Sequence, residues 1–317
     1  MIPLLPFKPV RVAILILAGL SFSPLAMAGV LDSVSREVQK VFDQSSAAVV
    51  KVRSLGGSAP LAGTGFFIDD SGRILTSYAV VRDATNAWVE YNDEKVEAEI
   101  LGRDSRTNLA LLKIDREETP HLSFGDSDSL RTASGLIGVA YPFNLPLAPS
   151  FGLVSGFDVQ YRNVFFPTTH IRANLSVSPG QIGGPVLNSQ GEVMGVMVLS
   201  VEDGKSCYAM PSHSVQKVIQ DFQDFGEVRH SWAGVGVVEG YPDVSGRKPI
   251  IISLLYDETP AADSGLQQGD RLLEINGQPI RKPTDLMDIS FFAGVGEELE
   301  VTVERGGETE VYALATT

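Results

Sequence analysis

Apolar positions along the chain change period three times. Over residues about 29 to 44, Val30, Val34, Val38, Val41 and Phe42 recur at helical spacing, which predicts a helix. From Ala48 to about Met210 the pattern turns into short runs rich in Val, Ile, Leu and Phe, separated by turn residues. Val49–Val52, Gly65–Ile68, Arg73–Thr76, Trp88–Tyr91, Val96–Leu101 and Leu109–Ile114 read as strands, and Asp69-Asp70-Ser71-Gly72 reads as a hairpin turn. Many short strands with Gly-rich turns predict an all-β barrel or sandwich. Ser212–Phe225 returns to helical spacing, with Val215, Val218, Ile219, Phe222 and Phe225 on one face and Gly226 placed to end it. Asp221 and Asp224 then fall on the solvated face. A second β-rich unit runs from about Trp232 to the end. It contains one helix after Pro283, with Thr284 as cap and Leu286, Ile289 and Phe292 on its apolar side.

The N-terminus interrupts this organisation. Lys8 and Arg11 precede an apolar run from Val12 to Leu20, Pro24 breaks it, and Ala26-Met27-Ala28 offers a small-x-small cleavage site before Gly29. Residues 1–28 therefore read as a signal peptide and the mature chain as exported to the periplasm. Uncleaved, the charge-free stretch Val12–Leu31 is long enough for a membrane-anchored form. A length of 317 residues suits about two domains. The net charge of −14, without basic clusters, argues against nucleic acid as a partner. A single cysteine, Cys207, leaves no internal disulfide and reads as a buried, inert thiol.

Several short segments then resemble one family in order. Gly63-Thr64-Gly65-Phe66 is similar to a G-S/T-G-F strand, Thr76-Ser77-Tyr78-Ala79-Val80-Val81 to T-N-A-H-V-V, and Asp104 to Lys113 to D-x-x-T-D-L-A-V-L-K. Tyr141-Pro142-Phe143 is similar to N-P-F, Pro179 to Pro185 to the nucleophile loop G-N/D-S-G-G-P, and Tyr208 to Pro211 to F-A-I-P. Thr259 to Gly277 resembles S-P-A-A-x-A-G-L-x-x-G-D-x-I-x-x-I-N-G. Together these resemble the HtrA/Deg family. The resemblance implies a mainly β chain: a trypsin-like double six-stranded β-barrel over 29–228, followed by a single α+β PDZ domain over 229–317.

Carried over position by position, the resemblance places Ala79 at the general base, Asn108 at the orienting aspartate and Ile182 at the nucleophile. Alanine cannot accept a proton, a neutral amide stabilises an imidazolium poorly, and isoleucine has no atom that can attack a carbonyl. The chain has four histidines, and none precedes His121, so the first barrel offers no substitute base. No catalytic residue is therefore expected. The oxyanion loop of Gly180, Gln181, Ile182 and Gly183 is vestigial, with the N–H groups of Gly180 and Ile182 as its donors. In the second unit, Ser231 to Val235 resembles a carboxylate-binding loop. Trp232, Ala233, Gly234 and Val235 would capture a polypeptide C-terminus, and Leu286, Ile289 and Phe292 would form an apolar groove wall. The aromatic group Phe157, Tyr161, Phe165 and Phe166, expected between two barrel strands, stays open between core packing and contact with the PDZ domain.

The expected function is a pseudoprotease that binds exported or unfolded polypeptides with free C-termini, in a scaffolding, chaperone-like or regulatory role in envelope protein quality control. The resemblance also implies an oligomer such as a homotrimer. Nothing in the motifs calls for a cofactor or a metal. Two other classes stay open: an active serine endopeptidase using Ser176 or Ser178, and a structural subunit of mixed oligomers with an active HtrA/Deg paralogue.

Overall fold

The computed structural model describes residues 24–56, 59–242, 244 and 246–317. It separates into a short unit ending at Glu37 and a large one from Val38 to Thr317. The charged start and apolar run of the expected signal lie outside the described residues. Helix α1 spans Pro24–Ser45 rather than starting at residue 29. Pro24 opens it, since a proline in the first helical turn forfeits no intrahelical hydrogen bond. Within the large unit, Val41 is fully buried, and Val38 and Phe42 pack against the core cluster that holds Leu111 and Val196. Among the described residues, no helix is long and apolar enough to cross a membrane.

The first barrel contains β1 (Val49–Gly56), β2 (Ala59–Phe67), β3 (Arg73–Ser77), the short helix α2 (Tyr78–Val81), β4 (Ala84–Tyr91), β5 (Glu94–Asp104) and β6 (Leu109–Ile114). It closes in the order β1-β2-β3-β6-β5-β4. The second contains β7 (Gly135–Ala140), β8 (Ala148–Tyr161), β9 (Val164–Ala173), β10 (Pro185–Leu187), β11 (Val193–Val201) and β12 (Ser206–Pro211), closing as β10-β11-β12-β9-β8-β7. Closure leaves no unpaired edge, so each barrel can bury an apolar interior from short strands. The aromatic group does not sit in a loop between strands. Phe157 and Tyr161 belong to β8 and Phe165 and Phe166 to β9, whose ends pair directly, Tyr161 opposite Val164. Phe166 is buried against His170 and Tyr208, while Phe165 is 69% exposed.

Helix α3 (Ser212–Phe225) follows, and Gly226 ends it with φ 74° and an N–H bonded to Phe222 O. Asp221 is not on a solvated face. It is 8% exposed, pairs with Lys217 at 2.5 Å and accepts the Arg229 N–H at 2.9 Å. Helical spacing identifies the face but not the chain that folds back over it. A third sheet then contains β13 (Val235–Glu239), β14 (Ile250–Leu255), the short helix α4 (Pro260–Asp263), β15 (Arg271–Ile275), β16 (Gln278–Pro279), α5 (Pro283–Phe292), β17 (Glu298–Arg305) and β18 (Glu308–Ala315). Its order is β13-β14-β15-β17-β18, with β16 on β15. Thr284 does not cap α5. Its hydroxyl is buried without a partner, and Asp285 instead accepts the N–H groups of Arg281 and Lys282.

Candidate functional site

Ala79, Asn108 and Ile182 come together between the two barrels. Ser77 ends β3 and caps α2, its Oγ accepting from Ala79 N at 3.1 Å. Asn108 enters β6 with φ 55°, a left-handed conformation that asparagine tolerates. Its Oδ1 accepts from Ser77 Oγ at 3.0 Å and from Ala79 N at 3.1 Å, and its Nδ2 donates to Val198 O at 2.6 Å. Both ends of the amide are thus engaged. A carboxylate at this position could accept the first two bonds but has no donor for the Val198 carbonyl.

The loop bearing Ile182 is held by its carbonyls. Pro179 O accepts from Phe143 N at 2.6 Å, Gln181 O from Gly184 N at 3.1 Å and Ile182 O from Thr64 N at 3.2 Å. Gly180 O accepts from Thr64 Oγ1 at 2.8 Å. Gly183 has φ 90°, and a Cβ on it would lie 2.3 Å from Thr64 O, so only glycine fits. Its N–H is taken by Met197 O at 2.8 Å. Gln181 is buried and turned inward, its Oε1 accepting from Ser178 N at 2.6 Å. Among the described residues, the N–H groups of Gly180 and Ile182 have no acceptor. The Ile182 side chain is half-buried against the apolar cluster of the second barrel.

These elements enclose a cleft of about 320 Å³. The first barrel contributes Leu61, Ala62, Gly63, Ala79, Val80 and Asn108, and the second Gly180, Ile182, Val198, Leu199 and Ser200. None of these side chains ionises. The one hydroxyl, Ser200 Oγ, donates to Val177 O at 3.1 Å. Ser176 and Ser178 do not line the cleft. A serine–histidine contact does exist elsewhere: Ser127 Oγ lies 2.6 Å from His213 Nδ1. Asp128 meets that same ring nitrogen at 3.1 Å, so the carboxylate does not sit behind the imidazole as a triad requires, and Ser127 is buried. His170 is fully buried, with its pKa lowered to about 4 by desolvation, and stays neutral. Burial likewise pushes the Cys207 thiol up to about 12, which keeps it protonated and unreactive.

The second loop differs. Trp232 pairs with Thr317 through N–H···O bonds of 2.9 and 2.8 Å. Ala233 O accepts from Ala261 N at 3.1 Å and Gly234 O from Tyr256 N at 3.0 Å. The carbonyls are engaged, while the N–H groups of Ala233 and Gly234 have no acceptor among the described residues. Gly234 has φ 83°, and a Cβ there would lie 2.1 Å from Thr259 Oγ1. Ala233, Val235, Leu286 and Ile289 pack half-buried on one cluster with Ile252 and Leu272. The structure does not bring Trp232 and Phe292 into that group. Trp232 is 47% exposed, stacks near Tyr256 at 5.2 Å and lines a pocket of about 400 Å³ with Phe165 and Phe291. Phe292 turns toward His213, ring to ring at 5.3 Å, beside a cavity of about 980 Å³. Helix α5 has a second face, and this face docks on β9 and explains the divergence. Asp288 accepts from Thr168 Oγ1, Thr169 N and Thr169 Oγ1 at 2.6 to 2.7 Å, and Phe291 is buried in the cluster that contains Leu111 and Val196. A helix spacing rule had assigned Phe292 to the face that tertiary contact gives to Leu286 and Ile289.

The comparisons with known proteins agree with this architecture. A family model described as a trypsin-like peptidase domain matches residues 63–196, and one described as a PDZ domain matches residues 221–304. A protein of Halomonas elongata named "Probable periplasmic serine endoprotease DegP-like" is 31% identical over 258 residues, 78% of this chain and 54% of that protein. The chain spans between about half and two thirds of the length of the curated relatives it matches. Among solved structures, the HtrA-type protease AlgW with tripeptide superposes with a TM-score of 0.78 at 23% identity, covering 88% of this chain and 96% of that one. The serine endoprotease from Yersinia pestis does so with a TM-score of 0.68 at 25% identity, covering 88% of this chain and 97% of that one. The chain belongs to the HtrA/Deg family and joins a trypsin-like peptidase domain to a PDZ domain.

Proposed function

We propose that this protein is an HtrA/Deg pseudoprotease that binds polypeptide C-termini and does not cut them. The observation that carries this reading is the inter-barrel cleft, whose lining has no ionisable side chain and whose single hydroxyl is committed to Val177 O. Amide hydrolysis at this site would have neither nucleophile nor base. Loss of a full triad lowers turnover by about a millionfold, and the donors that remain supply only about a thousandfold over water. The relatives are named as proteases, so the change is specific to this chain's residues 79, 108 and 182.

Binding is the activity left, and it falls to the PDZ loop. Two free N–H groups beside an apolar patch of Ala233, Val235, Leu286 and Ile289 suit a terminal carboxylate with an apolar last residue. The natural partners are exported or unfolded polypeptides in the periplasm, where relatives are named as acting and to which residues 1–28 would direct the chain. In this reading the peptidase-like unit covers 29–228 and the PDZ unit 229–317. A homotrimer, or a mixed oligomer with an active paralogue, would place that binding function beside a working protease.

The test is direct. The purified mature chain is expected to give no casein hydrolysis and no labelling by a fluorophosphonate probe, and to bind members of a library of peptides with free C-termini. Labelling at any serine sinks the pseudoprotease reading. Failure to bind at high peptide concentration, or equal binding of amidated peptides, sinks the carboxylate reading.

A further inference from the structure

We propose that Asp104 and His230 form a proton-operated latch between the wall of the cleft and the entrance to the PDZ domain. Asp104 ends β5, and its Oδ2 accepts from Thr107 N at 2.7 Å and Thr107 Oγ1 at 2.8 Å. Those bonds shape the turn that delivers Asn108. Its Oδ1 meets His230 Nε2 at 3.0 Å. His230 lies two residues before Trp232, on the segment that carries the chain from α3 into the carboxylate loop. One carboxylate thus ties the cleft loop to the loop proposed to bind ligands.

The pair is shielded enough to matter. Both side chains are 14% exposed, so salt and water screen it less than a surface ion pair. Burial works to raise the pKa of Asp104, but the hydrogen bonds from His230, the Thr107 N–H and the Thr107 hydroxyl outweigh it and hold the carboxyl below its ordinary value. It is therefore an anion throughout the range in which a histidine titrates. The other charges near His230 do not replace it. Arg106 lines the same pocket as a cation. Lys217 and Asp221 of α3 pair with each other and with the backbone of Arg229, and the Arg229 guanidinium lies over the Phe225 ring at 4.5 Å. Helix α5 and β9 face the pocket with the uncharged side chains Met287, Ser290, Phe291 and Val164–Pro167.

The sign follows from linkage. A histidine whose cation touches a carboxylate only in the closed arrangement binds its proton more tightly there than when the latch is open. The closed form is favoured below the open-state pKa and loses that advantage as pH rises through the closed-state pKa. A neutral ring can still donate one hydrogen bond, so the contact weakens rather than vanishes. Asp288 and its threonine partners hold the other part of the seam, and threonine does not titrate.

Trp232 is a natural reporter, because the chain has two tryptophans and Trp88→Phe leaves it alone. Acrylamide quenching of Trp232 in the full mature chain, followed from pH 5 to 8, is expected to rise with pH, with the open fraction growing about tenfold for each unit of difference between the two histidine pKa values. His230→Lys, which keeps the cation, is expected to hold quenching low across the range, and Asp104→Asn to hold it high. His213→Gln, at the second histidine of the seam, is expected to leave the profile unchanged. A flat profile in the parent overturns the proposal, as does a parent-like rise in His230→Lys or a profile abolished by His213→Gln alone.

Discussion

Two loops of this molecule present bare backbone N–H groups, and only one of them retains a use for them. In Pro179–Pro185 and in Ser231–Val235 the carbonyls are taken up by neighbouring segments, a glycine at positive φ lies within 2.3 Å of a neighbour where a Cβ would stand, and two N–H groups are left over. The frames are alike. Their surroundings are not. Beside Gly180 and Ile182 the walls are apolar, and the branched Ile182 side chain stands where a reacting atom would be required. Beside Ala233 and Gly234 an apolar patch adjoins the donors, which is the arrangement that a carboxylate attached to an apolar side chain needs. Oriented donors stabilise a charge only when something nearby generates or delivers one.

The comparison can be broken most forcefully at the cleft. The combined change Ala79→His, Asn108→Asp and Ile182→Ser is expected to restore fluorophosphonate labelling, while each single change gives none, because the triad acts as a unit worth about a millionfold. Labelling of Ile182→Ser alone would show that the missing base is supplied from elsewhere. The glycines give the next largest effect. Gly234→Ala and Gly183→Ala should each destabilise the chain by about 1–3 kcal/mol through forced strain, read as a lowered Tm. Only Gly234→Ala should also weaken peptide binding, by about tenfold or more; equal loss in both would erase the distinction between the loops. Asp288→Ala should cost about 2 kcal/mol by leaving the Thr168 and Thr169 donors without their charged acceptor, seen as faster hydrogen exchange in α5 and β9. The smallest effect is expected for Asn108→Asp alone, about 1–2 kcal/mol in denaturant titration, from an unmet Val198 carbonyl facing a carboxylate.

Much of this was legible along the chain. The barrel strands, the α3 helix with its glycine stop and the second β-rich unit follow from local period and turn chemistry, which depend on neighbours a few residues away. The gathering of Ala79, Asn108 and Ile182 was anticipated through motif order. The errors share a cause. Asp221 looked solvated, Thr284 looked like a cap, Phe292 looked like groove wall, and Phe157 to Phe166 looked like a loop. Each assignment used spacing on one element, and each was reversed by a segment from elsewhere: the Arg229 backbone, the Asp285 side chain, His213, and the pairing of β8 with β9.

By itself the sequence determined what chemistry is absent. A missing hydroxyl, a missing imidazole and a missing carboxylate are properties of residues, and no fold can supply them. Which donors are free, that Asn108 spends its amide on Val198, and that α5 faces the PDZ core on one side and β9 on the other were decided only by the tertiary structure. Those are contacts between residues from about 50 to 120 positions apart, and local propensity has no range over which to encode them.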